Sequence, residues 1–152
     1  MNFYLAGPIN GCTDDEAVNW RERSKVLLGY VNCVDPMVRD YRGKEDSHYR
    51  EIVLKDLEDI DGCDVVLANC WTPSVGTSME LWYAHSNGIP IVAIVPEDAP
   101  VSPWIRYVAS SIVHNVDDGT RAVYEIWKQV EEDRERSLSA LLEEPMEMEE
   151  VQ

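Results

Sequence analysis

Residues 64–95, DVVLANCWTPSVGTSMELWYAHSNGIPIVAIV, hold two short apolar runs with an amphipathic segment between them. The first run, 64–69, is nearly all apolar, as a strand covered on both faces must be. The second, 89–95, is apolar throughout and carries Pro90 near its start, where a strand tolerates a missing N–H. Between them, a loop at 70–75 leads into a helical stretch at 76–87, which Gly88 closes. Strand, helix and strand at this spacing make one parallel crossover unit.

The same alternation extends in both directions. Residues 2–6 (NFYLA) read as a strand stopped by Gly7-Pro8. Thr13 and Glu16 form a capping box for a helix that Gly29 ends. Residues 31–34 read as a second strand, 37–47 as a polar loop and 48–60 as a helix with Ile52, Val53, Leu57 and Ile60 on one face. Beyond the opening stretch, 96–103 reads as a Pro-rich loop and 111–114 as a last strand. A final helix starts at Asp117 or Asp118. These elements predict an α/β fold: a three-layer, doubly wound, five-stranded parallel sheet in the flavodoxin-like order 2-1-3-4-5. Ligands bind such sheets beyond the carboxyl ends of the strands, where the loops at 7–13, 35–47 and 70–78 meet.

The chain has 152 residues, 45% hydrophobic and 28% charged, which fits one domain with a substantial core. With 29 acidic and 13 basic residues its net charge is −16, which argues against nucleic-acid polymers and anionic membrane surfaces as partners. Residues 131–152 hold nine acidic and two basic residues, so −7 of that charge lies at the C-terminus. The expected division is a domain at 1–136 and an acidic tail at 137–152, partly helical or disordered. No apolar run reaches the roughly 20 residues a membrane helix needs, and no signal peptide is visible. Cys12, Cys33, Cys63 and Cys70 form no CxxC pair, and His48, His85 and His114 are far apart, so no metal site is expected. The cysteines read as small buried hydrophobes in a reducing cytoplasm.

The loop at 73–80, PSVGTSME, is the most informative for chemistry. Gly76 is expected to let the backbone turn sharply, and the helix after it aims free N–H groups at the cleft. Glu80 lies in the first turn. It is either a favourable charge at a helix N-terminus or a carboxylate reaching the cleft. Ser74 and Thr77 are caps or ligand contacts. Asp56, in KDLEDI, reads by itself as one of the charges on a solvated helix face. There is no Walker lysine, GxGxxG or GxSxG, which removes support for ATP, NAD(P) and serine-hydrolase chemistry.

Taken in order, YLAGPI at 4–9, Asp56-Leu57 with Ile60, Cys63-Asp64 with Leu67-Ala68, and GTSMELWYA at 76–84 resemble the nucleoside 2-deoxyribosyltransferases and the related nucleoside 5′-monophosphate N-glycosidases. The resemblance spans about 3–128. It implies cleavage of the N-glycosidic bond of a 2′-deoxynucleoside, with Glu80 as nucleophile, Tyr4 orienting it and Asp56 hydrogen-bonding the base. The sugar, held as a glutamyl ester, would pass to another nucleobase or to water. Gly7, Pro8, Ile9, Asn10, Ser74, Gly76, Thr77 and Met79 would line the substrate. Many transferases carry an aspartate six residues before the glutamate; Ser74 stands there, as in the monophosphate glycosidases. Those glycosidases commonly carry an arginine near 9–11 to pair with the phosphate, where this chain has Asn10; Arg21 and Arg39 are the candidates to substitute for it, though nothing in the sequence places them.

The resemblance also implies a homo-oligomer, a dimer or higher, whose neighbouring subunit completes the site. Trp104, Arg106 and Tyr107 suit that contribution, or the two aromatics pack in their own subunit's core. The implied partners are a small nucleoside or nucleotide and a free base, with no metal or organic cofactor. The order of readings is transfer between bases, then hydrolysis of deoxynucleoside 5′-monophosphates, then a non-catalytic nucleotide-binding module.

Overall fold

The computed structural model describes residues 1–143. The strands are β1 (Phe3–Ala6), β2 (Cys33–Val34), β3 (Val65–Asn69), β4 (Ile91–Ile94) and β5 (Ser111–Val113). They pair in parallel in the order β2-β1-β3-β4-β5, the doubly wound order expected from the sequence. β1 aligns Phe3 with Val65 and Tyr4 with Val66, and β3 aligns Val66 with Ile91.

The helices are α1 (Asp14–Leu28), α2 (Glu45–Asp61), α3 (Val75–Ser86), α4 (Pro103–Val108) and α5 (Val116–Glu143). Because side chains alternate across a strand, each strand feeds two cores. Phe3, Leu5, Val65, Leu67, Val92 and Ile94 join Trp20 and Leu28 of α1 and Val116 and Val123 of α5. Tyr4, Ala6, Val66, Ala68 and Ile91 face the other way, onto Ile60 of α2, Leu81 and Ala84 of α3 and Val108 of α4. This second layer holds the candidate residues, since Tyr4 points to the same side as α2 and α3.

The Thr13–Glu16 capping box is present at the start of α1. Several local expectations need correction. The strand expected at 31–34 is a 3-10 turn, Tyr30–Asn32, followed by only two strand residues. At the sheet edge, pairing on one side alone supports no longer a ladder. The polar loop at 37–47 begins with a 3-10 turn, Pro36–Arg39, capped by the Asp35 side chain, and α2 starts early, at Glu45. The stretch after the Pro-rich loop forms α4, with Pro103 in its first turn, where proline's fixed φ suits a helix. Gly76 has no positive φ and sits inside α3, so it makes no sharp turn there. Of the four cysteines, all without disulfides, only Cys63 is fully buried. α5 runs on past residue 136; the rest of the expected tail, 144–152, lies outside the described residues.

Candidate active site

Tyr4 sits in the second residue of β1, with its ring wholly inside the core. Its hydroxyl donates to Glu80 Oε1 at 2.8 Å, across the gap between β1 and α3. Glu80 is in the second turn of α3, not in the first as expected, because the helix begins at Val75, and it is partly buried. Burial, with Asp56 nearby, pushes its carboxyl up to about 7, against the opposing pull of the Tyr4 hydrogen bond and of Arg21. A solvated helix-end carboxylate would not behave this way, because water would hold it near its ordinary value. The Tyr4 phenol is itself raised, by burial first and then by the charges of Glu80 and Asp56.

Asp56 projects from α2 with its side chain only 19% exposed, and so is not on a solvated face. Burial raises its carboxyl, while Arg39 and Arg21 pull the other way. Arg39, at the end of the 3-10 turn, donates to Asp56 Oδ1 at 3.3 Å and also pairs with Asp59. Tyr4, Asp56 and Glu80 therefore converge from β1, α2 and α3 on one side of the sheet.

The first loop is held from below. Arg21 is completely buried in α1 and donates to the Gly7 carbonyl at 2.9 Å and to the Ala17 carbonyl. Its Nε lies 3.3 Å from Asp35, which Lys25 also contacts at 2.6 Å. Its guanidinium covers the Trp20 ring at 4.6 Å. A Cβ on Gly7 would meet Trp20 at 2.6 Å, so that close approach requires glycine. Gly7 and Pro8 are buried, Ile9 partly so, and Asn10 is exposed. From sequence alone Arg21 and Arg39 are only candidates for pairing with a phosphate, with no place in the fold. The signal for Arg21 was present: it falls on the buried stripe Ala17, Trp20, Ser24 and Leu28 of α1.

At the start of α3, the Ser74 side chain accepts from the Thr77 N–H at 3.3 Å, and Ser78 donates to the Ser74 carbonyl at 2.8 Å. Ser74 is thus the cap, and the Thr77 hydroxyl is buried without a hydrogen-bond partner among the described residues. Met79 is exposed. Gly76 leaves the helix end open, since a Cβ there would have only Ser74 Oγ at 4.0 Å. A cavity of about 720 Å³ lies between α3 and α4, lined by Ser74, Thr77, Trp82, Trp104 and Ile105 among others. Tyr4, Asp56 and Glu80 do not line it, so the reading of the site rests on the hydrogen-bonded carboxylate and not on cavity size. Trp104 and Tyr107 are 70% and 69% exposed and so do not pack in their own core. Trp104 meets Trp82 edge-on at 6.0 Å, Tyr107 lies 5.2 Å from His85, and Arg106 is exposed.

The profile of the nucleoside 2-deoxyribosyltransferases matches residues 3–141, nearly the whole described chain. The chain belongs to this family. The mouse 5-hydroxymethyl-dUMP N-hydrolase is 29% identical to it over 147 residues, covering 93% of this chain and 80% of that protein. The rat 5-hydroxymethyl-dUMP N-hydrolase is 26% identical over 150 residues, covering 93% and 85%. Two solved structures share the fold at 17% identity. One is the 2-deoxyribosyltransferase of Bacillus psychrosaccharolyticus, with a TM-score of 0.64 over 78% of this chain and 89% of that one. The other is the CMP N-glycosidase of Clostridium botulinum, with a TM-score of 0.55 over 80% and 96%. Members of the family are enzymes acting on N-glycosidic bonds of small nucleosides or nucleotides. Among the described residues, no helix is long and apolar enough to cross a membrane.

Proposed function

We propose that this member of the family is an N-glycosidase of 2′-deoxynucleoside 5′-monophosphates, with water as its main acceptor. The observation that carries the chemistry is the Tyr4–Glu80 hydrogen bond at 2.8 Å on a carboxyl raised to about 7. Ionised, Glu80 attacks C1′ from the face opposite the base. The C1′–N bond breaks through an oxocarbenium-like transition state, and the base leaves with the electron pair and takes a proton from solvent water, which the attacking water of the second step returns. Asp56 hydrogen-bonds that base. Water then attacks C1′, frees the Glu80 carboxylate and yields the sugar with its configuration retained.

Charge balance alone ranks transfer first. The order changes because the mouse and rat relatives are named for hydrolysis of a nucleotide, and because Ser74 puts a hydroxyl and no carboxylate at the N-terminus of α3. That helix end attracts a phosphate. Gly7, Pro8, Ile9, Asn10, Gly76, Thr77 and Met79 complete the proposed substrate contacts. One observation favours the second reading, deoxyribosyl transfer between bases on unphosphorylated nucleosides. Both arginines that were candidates for a phosphate are committed within the protein, Arg21 to carbonyls and Asp35, Arg39 to Asp56 and Asp59.

The test is a product screen of the four deoxynucleosides and their 5′-monophosphates, each with and without an acceptor base. Free base plus deoxyribose 5-phosphate without acceptor is the expected result. Faster turnover of the unphosphorylated nucleosides, with exchanged nucleoside formed, refutes hydrolysis and favours transfer. No base released from any substrate refutes both. The exposed aromatic face of α3 and α4, with Trp82, Trp104, Arg106 and Tyr107, is proposed as the contact with a second copy of the chain.

A further inference from the structure

We propose that Arg39 is a positioning residue that fixes Asp56 as an ionised hydrogen-bond acceptor, so that the leaving base is read by an Arg39–Asp56 pair. The proposal rests on the reading of Asp56 as the group facing the base. It starts from geometry. Arg39 Nη2 contacts Asp56 Oδ1 at 3.3 Å and simultaneously Asp59, one helical turn further along α2. Asp59 anchors the guanidinium, and Asp56 keeps Oδ2 without a hydrogen-bond partner among the described residues. An ionised carboxylate only accepts, so the free oxygen suits an N–H donor on a base edge.

The turn that presents Arg39 is itself fixed. Asp35 accepts from the Met37 N–H at 2.9 Å and so caps the turn. Asp35 is gripped in turn by Lys25 at 2.6 Å and faces buried Arg21. A chain of charged contacts thus runs from the interior of α1 to the cleft face of α2. Long surface arginines lose entropy when ordered, and isolated surface pairs contribute little. Here the side chains are only 28%, 19% and 21% exposed for Arg39, Asp56 and Asp59, and the backbone of the turn is capped.

The charged and titratable groups acting on Asp56 come from every element around it. Arg39 from the turn and Arg21 from α1 favour its charged form, and Asp59 from α2 opposes it. The Asp56 charge is felt by Glu80 of α3, Tyr4 of β1 and Tyr41 of the loop after the turn. Without Arg39, burial and Asp59 act on Asp56 against Arg21 alone. The carboxyl then protonates more readily and turns from acceptor to donor.

The experiment has two arms, both on the full chain. In the first, the Asp56 carboxyl is followed by carbon NMR against pH in the wild type and in Arg39→Gln, with Asp56→Asn for assignment. The midpoint is expected to rise in Arg39→Gln and to return towards wild type in Arg39→Lys, which restores charge. An unchanged midpoint in a folded Arg39→Gln protein overturns the proposal. In the second arm, Glu80→Ala stops turnover, and calorimetry measures binding of deoxynucleosides and their monophosphates with Arg39 intact or as Gln. A loss of about tenfold or more is expected, the scale of a hydrogen bond to a charged group, and equal affinity overturns the proposal. If Arg39→Gln does not fold, Arg39→Met, which removes the charge while keeping the length of the side chain, takes its place and is expected to weaken binding in the same assay. Equal affinity there overturns it too. Neither arm needs turnover, so an inactive wild type refutes the proposed reaction and leaves this inference to be judged by its own data.

Discussion

Tyr4→Phe removes one oxygen from the interior of β1 and leaves the ring in place. The lost hydroxyl is the donor to Glu80 Oε1 at 2.8 Å, and its bond lowers a carboxyl that burial has raised to about 7. A hydrogen bond to a charged group contributes about 1.5–3 kcal/mol, and about 1.4 kcal/mol corresponds to one pKa unit, so the Glu80 midpoint is expected to rise by about one to two units. Only the ionised carboxylate is a nucleophile. Near pH 7 the ionised fraction then falls from about a half to between about a tenth and a hundredth, and kcat/KM drops about 5- to 50-fold. The sign is specific: in the wild type activity is lost as pH falls through about 7, and in the variant that limb lies at higher pH. Near pH 9 the variant recovers most of its deficit. The assay is base release followed by chromatography across the pH range for both proteins. A uniform loss at every pH, with the acid limb unmoved, refutes the argument that Tyr4 acts through the ionisation of Glu80.

Two further outcomes follow from the same site. Glu80→Gln is expected to abolish base release and to stabilise the fold at pH 8. The folded-state value is raised from 4.5 to about 7, so below about 4.5 the buried group costs nothing, the penalty grows as pH rises from about 4.5 to about 7, and above that it is constant. Removing it is worth up to about 3 kcal/mol, seen as a Tm higher by several degrees at pH 8 and a much smaller gain at pH 5; equal gains at both refute the assignment. Trp104→Glu, on an aromatic side chain 70% exposed beside Trp82, is expected to shift the protein to a smaller species in light scattering and to reduce turnover; an unchanged mass speaks against a subunit contact there.

The fold was legible because its strands are short, apolar and separated by helices with clear caps. The run at 64–69 needs two covered faces, which fixes it near the centre of a parallel sheet, and β3 is indeed flanked by β1 and β4. β2 and α4 were harder, because two strand residues and a six-residue helix carry no periodicity to detect. The site was legible only as a pattern. Asp56 alone resembles any charge on a solvated helix, and its burial comes from how α2 lies against the sheet, a tertiary fact with no local signature. Arg39 was invisible for the same reason: its partners are 17 and 20 residues away, and a 3-10 turn brings them together. Gly76 shows the opposite error, a glycine read as a turn when its backbone is helical.

Charge accounting bears on which substrate this cleft takes. The chain carries 13 basic residues against 29 acidic ones, yet two arginines lie in or beside the cleft's inner layer. Neither is free for a phosphate. Arg21 holds the first loop through the Gly7 carbonyl, and Arg39 holds Asp56. Both favour the charged form of Asp56, and Arg21 does so for Glu80, so they balance the carboxylates that the reaction needs. In the proposed reading a 5′-phosphate is met by dipoles: the N–H groups at the open end of α3, where Gly76 adds no side chain, and nearby hydroxyls. Backbone dipoles bind a phosphate without adding a cation that would compete with Arg21 and Arg39 for Glu80 and Asp56. The arrangement therefore separates two tasks. Buried Arg21 and half-buried Arg39 act on the carboxylates, and in the proposed reading the helix end takes the anion. A carboxylate at position 74 would undo that separation by placing a negative charge on the phosphate side, and serine there avoids it.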